Sequence, residues 1–256
     1  MSFFNDISAI QNIIYIFSSI LFISGIKMLG KEDTAVKGNF LSAMAMFIAV
    51  SVTIINVVNP IIVIIGIAIG ALIGSLIALK VKMTSIPEMV ALFNGFGGLA
   101  TFFIAWSEFN AIPDNLFQYV LIMLTTYIGG VTFSGSIIAY GKLSEKLKIQ
   151  KDSIITKLFT TLFYLSILFL VYSTTLTSFI ELPIDFYKVL LILTLLGGIG
   201  FVLPIGGGDM PVVISLLNSF SGIAAAFAGL LLLNNVLIVA GSLVGASGLI
   251  LTIIMA

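Results

Sequence analysis

The chain has 256 residues, of which 60% are hydrophobic and only 9% charged, with a mean hydropathy of +1.25; soluble domains carry about 25% charged residues. Its 11 lysines balance 11 carboxylates, and histidine, cysteine and arginine are absent. Disulfides, thiolate chemistry, Cys/His catalysis and His- or Cys-ligated metals are excluded within these residues, and zero net charge gives no reason to expect nucleic acid as a partner. Apolar runs of about 20 residues follow one another with little pause, the pattern of an all-α polytopic membrane protein.

Nine spans are expected: Ile7–Leu29, Val36–Val58, Ile61–Leu79, Pro87–Trp106, Leu116–Tyr140, Ile154–Phe179, Phe186–Pro204, Met210–Leu233 and Val236–Ala256. Short connectors at Asn59-Pro60 and Asn234-Asn235 make antiparallel hairpins of the flanking spans. Met1–Asp6 lacks a basic segment, so no cleavable signal is expected. Numbering the sides from the loop after the first span, one side receives Lys27, Lys31, Lys37, Lys80, Lys82, Lys142, Lys146, Lys148, Lys151 and Lys157. The other receives only Lys188, with Asp6, Glu108, Asp114, Glu181 and Asp185. Excess lysine marks the cytoplasmic side. The N-terminus is therefore expected outside and the C-terminus in the cytoplasm.

The third span carries Gly66, Gly70 and Gly74 at intervals of four, a small-residue stripe that suits close helix packing. The fourth opens Pro87-Glu88 and continues Met89–Ala100 (MVALFNGFGGLA), which aligns with Val213–Ala224 (VISLLNSFSGIA) in the eighth. The next spans echo each other as well, VTFSGSII from Val131 against VGASGLIL from Val244. Spans four and five thus read as a parallel internal repeat of spans eight and nine, related by an axis along the membrane normal. Asn94 and Asn218 each follow their proline by seven residues, roughly 10 Å into the helix at 1.5 Å per residue. Two such carboxamides, able to donate and accept without charge, are placed to face one another across a shared cavity.

The segment from Gly206 to Gly222 reads GGGDMPVVISLLNSFSG. Pro211 suits the first helical turn, and Asp209 ahead of it can cap that turn. Ser215, Asn218 and Gly222 share one face by their spacing of three and four, and a polar face avoids lipid. The glycines before Asp209 supply a mobile backbone, which suits a gating or coupling role; Glu88 is the corresponding carboxylate of the other copy. Gly95–Ala100 has the form of a dinucleotide fingerprint but lies inside a span, without the strand and turn that the motif needs.

The phrases PEMVALFNGFGGLA, VTFSGSIIAYGKLSEKL and GGGDMPVVISLLNSFSGIAAAFAG, with NVLIVAGSLVGASG in the last span, resemble the beta subunit of proton-translocating NAD(P) transhydrogenases over essentially the whole chain. The resemblance implies a proton-translocating membrane domain, one part of a translocase complex. Hydride passes between NAD(H) and NADP(H) on other domains, and this chain binds no cofactor or metal itself. It implies an NADP(H)-binding domain following the last helix, which residues 1–256 would lack. It further implies one or more alpha subunits carrying the NAD(H) domain and further helices, a dimeric complex, and a bacterial cytoplasmic membrane. By position, Asn94, Asn218, Ser215 and Ser247 correspond to the proton pathway. Asp209, Glu88, Gly241, Gly245 and Gly248 correspond to the coupling region toward the nucleotide domain. Without histidine, Asn94 cannot carry a proton, so the titrating group is left to a partner's helices, to Asp209 or Glu88, or to water. Two other readings stay open at this level: an ion-coupled transporter of a small solute, and a membrane anchor for a soluble enzyme.

Overall fold

In the computed structural model the described residues are 2–55, 57, 59–111, 115–147, 153–176 and 184–256. Among them run nine helices: α1 Ser2–Leu29, α2 Glu32–Ile54, α3 Pro60–Lys80, α4 Ile86–Asn110, α5 Leu116–Leu143, α6 Ile154–Leu176, α7 Ile184–Val202, α8 Met210–Leu231 and α9 Asn235–Met255. All nine are long and apolar enough to cross a bilayer, so the multi-pass reading holds. In hydrocarbon only a helix satisfies its own backbone groups, which is why each apolar run becomes one. The span ends Val58 and Phe179, and Lys148, Lys151, Asp114 and Glu181 of the charge count, lie outside the described residues.

Helix ends follow local chemistry rather than hydropathy. α2 begins at Glu32, four residues before the expected Val36, because Glu32 and Asp33 suit the positive end of a helix in spite of their charge. Pro60, Pro87 and Pro211 sit in the first turns of α3, α4 and α8. Asn115 caps α5 by accepting a 2.9 Å hydrogen bond from the Gln118 N–H. Short 3-10 turns at Met83–Ser85 and Gly207–Asp209 lead into α4 and α8.

The chain forms two compact units, residues 1–81 with 235–240, and residues 82–234 with 241–256. In the first, α1 and α2 are joined by a tight turn around Gly30 and pack closely. A methyl on Gly25 would overlap Ser42, and one on Gly38 would overlap Gly25 and Met28. Ser18 Oγ donates to the Ala45 carbonyl at 2.5 Å, and the Tyr15 and Thr53 hydroxyls meet at 3.0 Å. α3 has no buried residue, and nothing lies within 4 Å of a methyl built on Gly66, Gly70 or Gly74. The expected close approach along that stripe is absent within the described residues. The small residues that bring helices together in this unit are Gly25 and Gly38.

The second unit is organised around α5, which packs against α4, α7 and α8, while α6 packs mainly on α7. Its apolar core falls into two clusters. One gathers Ala105 and Phe109 of α4, Leu121, Ile122 and Met123 of α5, Tyr187 and Leu190 of α7, and Leu231 of α8. The other gathers Ala91, Ala139, Val202, Met210, Val213, Ile214 and Leu217, from the opposite ends of the same four helices. Between the two, each helix turns polar or small at its buried face.

Candidate functional site

That middle layer contains Asn94, Gly98 and Thr101 of α4, Thr132 and Ser136 of α5, Thr194 of α7, and Ser219 and Ser221 of α8. Glycine lets these helices approach: a methyl on Gly98 would strike the Gly129 carbonyl, the Phe133 N–H and Thr132. Backbones held that close bring short side chains into reach across the interface. The Asn94 amide donates from Nδ2 to Ser136 Oγ at 3.0 Å and accepts at Oδ1 from Ser221 Oγ at 2.7 Å. Ser221 Oγ also lies 2.8 Å from the Asn218 carbonyl. One carboxamide thus ties three helices together. Asn94 is 8% exposed and Ser136 fully buried.

One turn before Ser136, the Thr132 hydroxyl is fully buried and has no hydrogen-bond partner among the described residues. A buried hydroxyl left unmatched costs about 1–3 kcal/mol, so this layer is polar beyond what its own bonds use. No ionisable side chain takes part in the Asn94–Ser136–Ser221 network, which can orient dipoles and order water but cannot store a proton as charge.

Asn218 lies elsewhere. Its side chain is half-buried and makes no hydrogen bond among the described residues, and no hydrogen bond joins it to Asn94. It lines a cavity of about 380 Å³ with Ile86, Pro87, Val90, Pro211, Ile214, Ser215, Leu251 and Met255. The two carboxamides therefore do not meet: Asn94 belongs to the sealed layer, Asn218 to a more open space near the first turns of α4 and α8.

The α8–α9 contact is made by small residues. A methyl on Gly222 would overlap the backbone of Gly245 and Gly241, and one on Gly248 would overlap Ser219. Ser219 Oγ donates to the Gly245 carbonyl at 2.5 Å. Ser215 Oγ reaches the Gly248 carbonyl at 3.3 Å and is met by Thr252 Oγ1 at 3.1 Å. Ser215, Gly241, Gly245 and Gly248 are thus brought together at one interface. Ser247 is not: it is exposed and bonds the Val244 carbonyl of its own helix at 3.1 Å.

Asp209 occupies the N-cap position of α8, but its backbone is helical and its carboxylate makes no capping bond, contrary to the expected cap. It stands exposed at the end of the glycine turn. Glu88 is half-buried in the first turn of α4. Sequence reasoning passed over Ser136, Ser221 and Thr132 as site residues; the signal for Ser136 was its place in the aligned VTFSGSII segment. No cluster of His, Cys, Asp or Glu that could hold a metal occurs among the described residues. Neither glycine motif has the strand and turn of a dinucleotide fingerprint: Gly95–Ala100 lies within α4, and Gly206–Gly208 follows a helix rather than a strand.

Among the described residues the chain is a multi-pass helical bundle with a buried, uncharged hydrogen-bond layer between two apolar clusters. Its family is defined by comparison with known sequences. The chain belongs to the NAD(P) transhydrogenase beta subunit family, whose sequence profile matches residues 11–256. Two relatives named NAD(P) transhydrogenase subunit beta, both from Rhodospirillum rubrum, are 37% identical over 257 residues, covering 94% of this chain and 54% of each relative. The chain spans about half the length of these curated relatives.

Proposed function

We propose that this chain is the proton-translocating membrane part of an NAD(P) transhydrogenase. Proton movement through it would be coupled to hydride transfer between NAD(H) and NADP(H) on partner domains. The observation that carries the reading is the Asn94–Ser136–Ser221 network at the meeting of α4, α5 and α8. A polar layer inside a membrane bundle is costly and marks an ion or proton path. Family membership supplies the reaction.

In this reading Asn94 and its hydroxyl partners order water in the sealed layer, and the Asn218–Ser215 cavity is its vestibule at the end bearing Pro87 and Pro211. Asp209, Glu88 and the α8–α9 interface through Gly241, Gly245 and Gly248 convey the state of the vestibule to an NADP(H)-binding domain. Because the network holds no titrating group, the proton crosses on water or on a group from an alpha subunit's helices. Ser247, facing outward, is available to such a helix. Coupling of this kind requires two sites and a two-state element between them, and the glycine turn before Asp209 is that element. The repeat of α4–α5 in α8–α9 is supported by matching contacts: Gly98 closes on Thr132, and the aligned Gly222 closes on the aligned Gly245. We place the lysine-rich ends in the cytoplasm, the N-terminus outside, in a bacterial cytoplasmic membrane.

The test uses membranes from source cells with and without the gene, following NADPH-driven reduction of an NAD analogue together with internal pH. Both signals are expected to disappear on deletion. Persistence of the hydride signal would overturn the reading and point to solute transport. Within the complex, Asn94→Ala and Asp209→Asn are each expected to impair coupled turnover, and full rates in both would remove these residues from the pathway.

A further inference from the structure

Lys142, in the last turn of α5, is the one lysine among the described residues of the second unit whose ammonium is drawn onto backbone carbonyls. Its Nζ donates to the carbonyls of Val202 at 3.3 Å, Ile205 at 2.5 Å, and Leu203 between them. These carbonyls lie where α7 ends: the Val202 carbonyl also accepts from the Ile205 N–H at 3.1 Å, and Pro204, lacking an N–H, does not continue the helix. Three ammonium protons meet three oxygens, and the positive charge sits at the negative end of the α7 dipole. The only ion pair among the described residues is Lys188–Asp185. The charge of Lys142 is therefore answered by the shape of the loop rather than by a carboxylate.

Beyond that grip the glycines of the loop stand clear of neighbouring atoms. Gly207 and Gly208 have nothing within 4 Å of where a methyl would stand, and Gly206 only Asp209 Oδ2 at 3.9 Å. A cavity of about 170 Å³, lined by Lys142, Leu147, Pro204 and Gly206 among others, lies beneath it. Asp209 is at the far end. On the other side, Ser136 is six residues before Lys142 on the same helix, about 9 Å along its axis. One helix thus holds both the partner of Asn94 and the root of the loop that presents Asp209.

We propose that Lys142 is a positioning residue: by holding the carbonyls of Val202, Leu203 and Ile205, it fixes the Asp209 loop to α5, so that a shift of α5 at Ser136 is passed to Asp209. The part of this that concerns coupling rests on the function proposed above; the clamp itself does not.

The chain has no native cysteine, and Leu203 is 2% exposed, so Leu203→Cys reports opening of the loop through maleimide labelling. The assay uses the assembled complex in its membrane. Lys142→Met is expected to speed labelling about tenfold or more, given the strength of hydrogen bonds to a charged group, and Lys142→Arg to restore slow labelling. In the same membranes without the reporter, Lys142→Met is expected to lower protons moved per hydride transferred, again with rescue by Lys142→Arg. Unchanged labelling overturns the clamp. Faster labelling with an unchanged proton-to-hydride ratio, or equal loss of both rates without rescue, overturns its role in coupling. If wild-type membranes show no nucleotide-driven proton movement, the proposed function fails while labelling still decides the clamp. Should Lys142→Met not accumulate, Lys142→Gln carries the same comparison.

Discussion

The α4–α5 and α8–α9 pairs start from similar sequences and end with different chemistry. In both, a glycine of the first helix closes on the second, Gly98 on Thr132 and Gly222 on Gly245. In both, an asparagine sits one turn earlier. Yet Asn94 is tied to a hydroxyl of its neighbouring helix, and Asn218 is free to line a cavity. The alignment supplies the reason: the position of Ser136 in α5 is Leu249 in α9. A hydroxyl present in one copy and missing in the other helps divide the two asparagines into a tied amide and a half-buried one that makes no side-chain hydrogen bond among the described residues. Glycine contacts preserve the frame while polar positions diverge.

The comparison can be broken most severely at the glycines. Gly98→Leu and Gly222→Leu both drive a side chain into a facing backbone, costing about 1–3 kcal/mol or more. Thermal unfolding in detergent should show a large drop for both, and for Gly70→Leu in α3 none, since nothing lies within 4 Å of that position. Equal behaviour of Gly70 and Gly222 would mean that α3 is covered by a partner helix in the detergent complex.

Next comes Asn94→Ala, which removes two side-chain hydrogen bonds. Each such bond in a membrane bundle averages about 0.6 kcal/mol and reaches about 1.7, so a moderate loss of stability should accompany the loss of coupled turnover. Ser136→Ala removes one of the two bonds, and roughly half of that loss is expected in the same unfolding assay. A loss at Ser136 equal to that at Asn94 would show that the Ser221 bond contributes nothing.

The smallest effect on stability is expected at Asn218→Ala, within about 0.5 kcal/mol, as for positions without a specific partner. Proton-coupled turnover should nevertheless fall. A stable variant with full activity would reduce Asn218 to a spectator. A markedly unstable one would show that the amide has a partner in the assembled complex.

Much of this protein is set by properties that a sequence carries locally. Among the described residues nine helices follow from nine apolar runs, because transfer into hydrocarbon sums residue by residue along a span and a lone helix satisfies its own backbone. Asn94 stood out for the same reason, as a polar side chain whose cost had to be repaid somewhere. Partner choice is another matter, since it depends on which faces meet across long sequence separations. Gly66, Gly70 and Gly74 have the spacing of an interface and touch nothing here, while Gly25 and Gly38, with no repeat to announce them, bring α1 and α2 together. Asp209 sits where a cap belongs but is held in a helical conformation that keeps its carboxylate from capping. Only the packed helices could join Asn94 to Ser136 and Ser221, 42 and 127 residues away, or set Lys142 over the end of α7, because hydrogen bonds act over about 3 Å and no pattern along the chain records that distance.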